Sequence, residues 1–152
     1  MKEPWKRLIC LFIYMIPWSN ALYYGNNIFT SFPILKLFII PTLPILIIKQ
    51  SLPLGNFLIL ILLLIGIVKN QQISYFIRLN TMQAILLNII LIIFNYLKII
   101  LLTISINYVI VETIETSIFI LNLSIVIFSS VQCFRGMEAD IPVISNSAKM
   151  QI

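Results

Sequence analysis

The sequence predicts an all-α integral membrane protein, a single membrane domain over residues 1–152 with four transmembrane helices and one proline-broken interfacial helical segment. Of its 152 residues, 61% are hydrophobic and only 10% are charged. The mean hydropathy of +1.07 lies far above the values of water-soluble domains. The apolar residues form continuous runs, whereas transmembrane β-barrels alternate apolar and polar residues. Because helices satisfy their own backbone hydrogen bonds in lipid, continuous runs indicate helices.

The first two apolar runs differ in their ability to cross a bilayer. Residues 8–24 have about the 17-residue minimum for a span and end at Gly25, a natural helix stop. Residues 32–48 carry three prolines and a lysine. Prolines interrupt a helix and leave backbone groups without partners in lipid. We therefore expect this second segment to lie in, or dip into, the membrane interface.

Three further runs complete the predicted spans: residues 52–68, 75–102 and 116–134. The stretch between the last two, residues 107–115, contains Glu112 and Glu115. We expect a loop with exposed carboxylates there, although such groups can also attract cations at a pore mouth. Residues 135–152 form a short polar tail.

The basic residues indicate which side of the membrane holds the termini. With four spans, the side of the termini receives seven of them: Lys2, Lys6, Arg7, Lys69, Arg78, Arg135 and Lys149. The opposite side receives three: Lys36, Lys49 and Lys98. Because Lys and Arg of short loops stay on the side of synthesis, both termini should face the cytosol or its organellar equivalent. The charges are scattered instead of forming a dense stripe, so no nucleic acid is expected as a partner.

The third span carries the polar residues most relevant to function. Asn80, Gln83, Asn88, Asn95 and Lys98 fall within an arc of about 140° on a helix. Such a face can border a hydrated path or a polar partner. Alternatively, its amides can form hydrogen bonds between neighbouring helices. This second role is favoured because burying an amide in a membrane costs less free energy than burying a charge.

A narrower polar stripe follows the fourth span at helical spacing: Glu115, Asn122, Ser129 and Cys133. It can pack against the polar face of the third span, so Asn122 joins the candidates for lining a path or for packing helices. Arg78 and Lys98 bracket the third span, and we expect them to reach opposite interfaces. Cys10 and Cys133 are far apart in sequence and lack CxxC spacing, which favours two buried thiols over a single disulfide.

The sequence holds no recognisable catalytic constellation. It has no histidine, no HExxH motif and no glycine-rich phosphate loop. Ser147 and Lys149 are close in sequence, but a serine–lysine nucleophile needs a buried, positioned lysine. We expect no enzyme activity, no cofactor and no bound metal.

Four sequence words, taken in order, resemble one family. They are PTLP at residues 41–44, VKN at 68–70, YFIRLNTMQAILL at 75–87 and IPVISNSAKMQ at 141–151. Together they resemble the twenty-kilodalton subunit family of the translocon at the inner envelope membrane of chloroplasts, over nearly the whole chain. The abundance of Ile, Asn and Lys, read from A/T-rich codons, suits a plastid-encoded algal member.

The family words carry over to eight positions: Arg78, Asn80, Met82, Gln83, Pro142, Ser145, Met150 and Gln151. Three positions depart from the family pattern: Leu79 replaces an aromatic residue, Asn146 an acid and Lys149 a tyrosine. The departures affect the expected contacts of the tail more than the family assignment.

The resemblance implies a multi-pass protein of the plastid inner envelope membrane with four helices and both termini in the stroma. It implies a membrane core subunit of the protein-import translocon that helps to form the protein-conducting path. The implied partners are other inner-envelope translocon subunits and preproteins in transit, beside the lipid bilayer. The third-helix word would then face the bundle interior or the path, and the tail would fold back beside it.

Two other hypotheses stay open. One is a small-solute or ion transporter, although such proteins usually carry buried charges and paired broken helices at the midplane. The other is a non-conducting scaffold subunit of a membrane complex.

Overall fold

The structure, a computed structural model, describes residues 3–104 and 107–152, and within these ranges it is helical without strands. The α-helices are α1 Pro4–Ala21, α2 Asn26–Ser31, α3 Leu43–Ser51, α4 Gly55–Leu63, α5 Tyr75–Thr103, α6 Tyr108–Arg135 and α7 Ile144–Lys149. Two 3-10 segments, Leu22–Tyr24 and Pro33–Thr42, and a π-helical extension of α4, Leu64–Val68, complete the described elements. Lys2, which entered the charge count, lies outside the described residues.

Three helical segments are long and apolar enough to cross a membrane: Pro33–Ser51, Tyr75–Thr103 and Tyr108–Arg135. The apolar helix Gly55–Val68 is shorter, with a length of about 21 Å at 1.5 Å per residue. The all-helical class is confirmed. The count of four spans stays a prediction. One of the three long segments is the stretch expected at the interface, and α1, which carries the first predicted span, is not among the three.

Helix α6 begins earlier than the sequence suggested. Its first residue is Tyr108, and the side chain of Asn107 caps it by accepting a hydrogen bond from the backbone N–H of Val109 at 3.0 Å. Glu112 and Glu115 therefore lie on the helix, and the expectation of a carboxylate-bearing loop over residues 107–115 is corrected. The Asn107 cap explains why the helix begins before the apolar run from which it was predicted.

Prolines shape the segment between α2 and α4. Pro33 opens the 3-10 stretch, Pro41 lies inside it, and Pro44 falls in the first turn of α3. Proline lacks a backbone N–H and is tolerated where that donor has no helical partner. Almost no residue of Pro33–Ser51 is buried in the protein. Its place relative to the bilayer stays a prediction.

Helix α1 is the centre of the bundle, packed between α5 and α6. It runs parallel to α5, because Tyr14 bonds to the side chain of Gln83 whereas Tyr24, further along, bonds to the carbonyl of Leu91. The side chains of the two helices therefore meet at matching heights.

Helix α6 runs antiparallel to α1. The Arg7 guanidinium donates to the carbonyl of Phe134 at 3.1 Å, and the rings of Trp18 and Phe119 lie 5.5 Å apart at the other end of α1. The start of α1, the start of α5 and the end of α6 thus share one end of the bundle, which we call the terminal end. The tail also lies there, since Arg78 donates to the carbonyl of Ile152 at 2.8 Å.

Candidate functional site

A buried tyrosine–amide cluster joins four elements near the terminal end. Its members are Tyr14 of α1, Asn80 and Gln83 of α5, Cys133 of α6 and Ser145 of the tail. The Tyr14 hydroxyl lies 2.8 Å from Gln83 Oε1 and 3.2 Å from Asn80 Oδ1. The Cys133 thiol donates to Asn80 Oδ1 at 3.2 Å. All five side chains are at most 1% exposed, so water does not compete for these bonds.

The same cluster fastens the tail to α5. Gln83 Nε2 donates to the carbonyl of Ala139 at 2.8 Å and to Ser145 Oγ at 2.9 Å. Ser145 Oγ in turn accepts from the backbone N–H of Ile141 at 2.7 Å. Two family-word positions, Gln83 and Ser145, are therefore direct partners, and the tail packs beside the third-helix word.

A second group, the lysine–asparagine cluster, joins α1, α3, α4 and α5. Its members are Ser19, Asn20, Lys49, Asn56 and Asn88. The Lys49 ammonium donates to Ser19 Oγ at 2.6 Å and to Asn20 Oδ1 at 2.8 Å. Asn56 Oδ1 accepts from Asn20 Nδ2 at 3.1 Å and from Asn88 Nδ2 at 3.2 Å, and Asn20 also bonds to Asn88. Side chains of four helical segments are thus tied through amides and one ammonium.

The charge of Lys49 is met by neutral oxygens. In residues 3–104 and 107–152, the ion pairs are Lys6 with Glu3 and Lys98 with Glu115. Lys49 had been assigned to the side of the membrane opposite the termini. That assignment stays a prediction. The ammonium is held between helices, where hydroxyl, amide and backbone oxygens supply the hydrogen bonds that a carboxylate would otherwise supply.

Positions along α5 give an expected depth in the membrane. Arg78 and Lys98 are separated by about 30 Å along the helix at 1.5 Å per residue, the thickness of a hydrocarbon core. We expect from the sequence that these two residues reach opposite interfaces, which would place Asn88 about 15 Å from each, at the midplane. The chain breaks between α3 and α4 at this level, where Leu54 adopts a left-handed conformation, φ 57°. A side chain at Gly55 would collide with the backbone carbonyl of Lys49, so the close approach requires glycine.

An ion pair joins α5 to α6 at the end opposite the terminal end. Lys98 contacts Glu115, and both side chains are only partly exposed. The expectation that Lys98 reaches an interface stays a prediction. Because the two residues belong to different helices, neither the polar face of the third span nor the polar stripe of the fourth span predicted their pairing.

The predicted polar face of α5 is divided by the structure. Asn80, Gln83 and Asn88 are buried and bonded, whereas Asn95 is exposed on the outer surface of the bundle. On α6, Asn122 is 2% exposed, and its Oδ1 has no hydrogen-bond partner among the described residues. The candidates for lining a path thus fall into three different environments.

The family-word residues also have different environments. Arg78 donates to the carbonyls of Val68 and Ile152, at 2.7 and 2.8 Å, and Met82 is 3% exposed in an apolar cluster. In the tail, Pro142, Met150 and Gln151 are exposed. Arg78 and Met82 thus stabilise contacts within the chain, whereas the three exposed tail residues lie on the surface of the protein.

Several cluster members were not singled out from the sequence: Tyr14, Ser19, Asn20, Lys49 and Asn56. Asn20 lies within an apolar run, as the amides of α5 do, which is the signal that would have selected it. Tyr14 resembles an ordinary interfacial aromatic residue, and Lys49 resembles a loop charge. Both cysteines are buried, and the described residues contain no disulfide between them.

Comparison with known proteins adds independent information. A family model described as chloroplast import apparatus Tic20-like matches residues 1–148. A Tic20 family protein of Synechocystis sp. is 33% identical over 147 residues, 96% of this chain and 92% of the relative. In Arabidopsis thaliana, protein TIC 20-v, chloroplastic, is 29% identical over 96% of this chain and 70% of its own length. Protein TIC 20-II, chloroplastic, is 36% identical over 57% of this chain and 41% of its own length.

Proposed function

Because the chain belongs to the chloroplast import apparatus Tic20-like family, we propose that it is a membrane subunit of the translocon that imports proteins across the plastid inner envelope. The match confirms the family inferred from the sequence words. Its partners in this proposal are other translocon subunits and preproteins in transit, and its role is transport and not catalysis. The Arabidopsis relatives are named chloroplastic, which supports a plastid location. The termini face the stroma, as the basic residues suggest.

We further propose that one copy contributes one wall of the protein-conducting path, on the outside of its helical bundle. The observation that carries this proposal is the burial of Asn80, Gln83 and Asn88, each bonded to another group of the same chain. A polypeptide in transit cannot reach these amides unless their bonds break. They act as links between helices, and other subunits complete the path.

The exposed amide of Asn95 marks the surface that would face the path. It lies 17 residues beyond Arg78 on α5, about 25 Å along the helix. With Arg78 and Lys98 at the two interfaces, Asn95 lies inside the hydrocarbon layer. An amide facing lipid has no partner for its hydrogen bonds, which is costly. A polar neighbour, either a preprotein or another subunit, removes that cost.

Site-specific crosslinking tests the proposal. A photoreactive amino acid replaces Asn95 or, as the matched buried position on the same helix, Asn88, in plastid membranes that hold an arrested preprotein. We expect position 95 to capture the preprotein and position 88 to capture only segments of its own chain. Capture of lipid alone at position 95, or of the preprotein at position 88, would overturn the outer-wall arrangement.

A non-conducting scaffold is a second candidate, and the bonded amides favour it because they stabilise a fixed helix arrangement. Capture of another subunit at position 95, without any preprotein, would identify this role. A small-solute or ion transporter is a third candidate, since the lysine–asparagine cluster lies where α3 and α4 are interrupted, an arrangement found in transporters. Conduction of a defined solute by vesicles containing this chain alone would identify it.

A further inference from the structure

A cleft opens between α1 and α6 at the terminal end. It has a volume of about 300 Å³ and is lined by Leu11, Ser130, Val131, Phe134 and Arg135. Three of these side chains are hydrocarbon, one is a hydroxyl, and one is a guanidinium. Phe134 is 68% exposed, so the apolar wall is open to its surroundings. The cleft therefore offers an apolar wall and a cation to whatever lies beside it.

The cleft lies at the height where headgroups meet hydrocarbon in the proposed membrane arrangement. Arg135 is the last residue of α6, and Arg7 lies in the second turn of α1 beside the same helix end. Gly136, with φ 73°, permits this approach, because a Cβ there would lie 3.3 Å from Arg7 Nε. Two guanidinium-bearing residues thus belong to one end of the α1–α6 pair.

Neither guanidinium has a carboxylate partner. In the part of the chain that the structure describes, no ion pair includes Arg7 or Arg135. Glu3 contacts Lys6 and Trp5 instead, and the nearest acids beyond Arg135, Glu138 and Asp140, do not reach either arginine. Arg7 bonds to a backbone carbonyl through one nitrogen, while its buried Nε has no partner. The positive charge at this rim is uncompensated.

We infer that this cleft binds an anionic phospholipid. Its acyl chain lies against Leu11, Val131 and Phe134, and its phosphate contacts Arg135, with Arg7 adding positive charge. Guanidinium groups match phosphate oxygens in charge and geometry. Basic pockets between membrane helices on the side of synthesis bind anionic headgroups in the same way. This inference depends on the membrane placement of α1 and α6 and is independent of the transport role.

The test uses the full chain purified in detergent and lipid-binding measurements by native mass spectrometry. The probes are phosphatidylglycerol, phosphatidylcholine with the same acyl chains, and inorganic phosphate. We expect phosphatidylglycerol to bind at least about tenfold more tightly than phosphatidylcholine, and inorganic phosphate not to displace it at equal concentration. Equal binding of the two lipids would overturn the inference. Displacement by free phosphate would reduce the site to an anion site without a lipid.

Two variants and a matched control locate the site. Arg135→Gln should reduce binding of phosphatidylglycerol to the level of phosphatidylcholine. Val131→Trp should reduce binding of both lipids, because the indole fills an exposed cleft without a change in charge. Lys69→Gln removes one positive charge at an exposed position outside the cleft and should leave binding unchanged. An equal loss in Lys69→Gln and Arg135→Gln would show a general charge effect and would overturn the specific site.

Discussion

The side chain of Gln83 connects three parts of the protein, so its replacement by leucine measures the strength of the tyrosine–amide cluster. Gln83→Leu keeps a similar side-chain volume and removes three hydrogen bonds: one from Tyr14, one to Ala139 and one to Ser145. Each former partner keeps another bond. Tyr14 still contacts Asn80, and Ser145 still donates to the Ala139 carbonyl at 3.1 Å.

The size of the effect follows from these bonds. Hydrogen bonds between membrane helices contribute about 0.6 kcal/mol each. Three of them give a loss of about 2 kcal/mol in the free energy of unfolding, or about 30-fold in the unfolding equilibrium constant. The larger penalty for a buried group without any partner, about 1–3 kcal/mol, does not add, because each partner keeps another bond.

Gln132→Leu is the matched control. The Gln132 Oε1 atom is buried and has no hydrogen-bond partner among the described residues, so leucine there should cost less than about 0.5 kcal/mol or should stabilise. Both variants are compared by reversible unfolding in mixed micelles with increasing denaturing detergent. Equal free-energy losses in the two variants, or a loss below about 0.5 kcal/mol for Gln83→Leu, would refute the reasoning.

Three further substitutions test other parts of the structure. Lys49→Met should increase the rate of backbone amide hydrogen exchange in α3 at least about tenfold, because the ammonium holds α3 to α1. Lys36→Met, at an exposed position, should leave this rate unchanged. Gly25→Ala places a Cβ 2.6 Å from an aromatic ring carbon and should lower the free energy of unfolding by about 1–3 kcal/mol in thermal denaturation, whereas Gly66→Ala meets open space and should cost nothing. Glu115→Gln should cost at most about 1 kcal/mol in the same assay, since its ion pair is partly exposed.

Regular apolar stretches were predictable from sequence, and helix starts that depend on a cap were not. Helix α5, Tyr75–Thr103, covers the predicted run 75–102, because lipid selects a continuous apolar composition for a helix of that length. The start of α6 was placed eight residues late. Two carboxylates suggested a loop, whereas the cap at Asn107 allows the helix to begin before them.

The candidate site was predictable only where one helix defines it. The spacing of Asn80, Gln83 and Asn88 placed them on one face of α5, and the structure buries all three. Their partners come from α1, α4, α6 and the tail, at separations of up to 69 residues for a direct side-chain bond. Because such pairings depend on how the helices are arranged in space, periodicity within one segment cannot reveal them.

The short helix Gly55–Val68 has a consequence for the membrane around it. It begins beside the amide of Asn88 and ends where the carbonyl of Val68 meets Arg78. Asn88 and Arg78 are about 15 Å apart along α5, half of a roughly 30 Å hydrocarbon layer. We therefore expect this helix to line only one half of the bilayer, and the segment before Gly55 to line the other half.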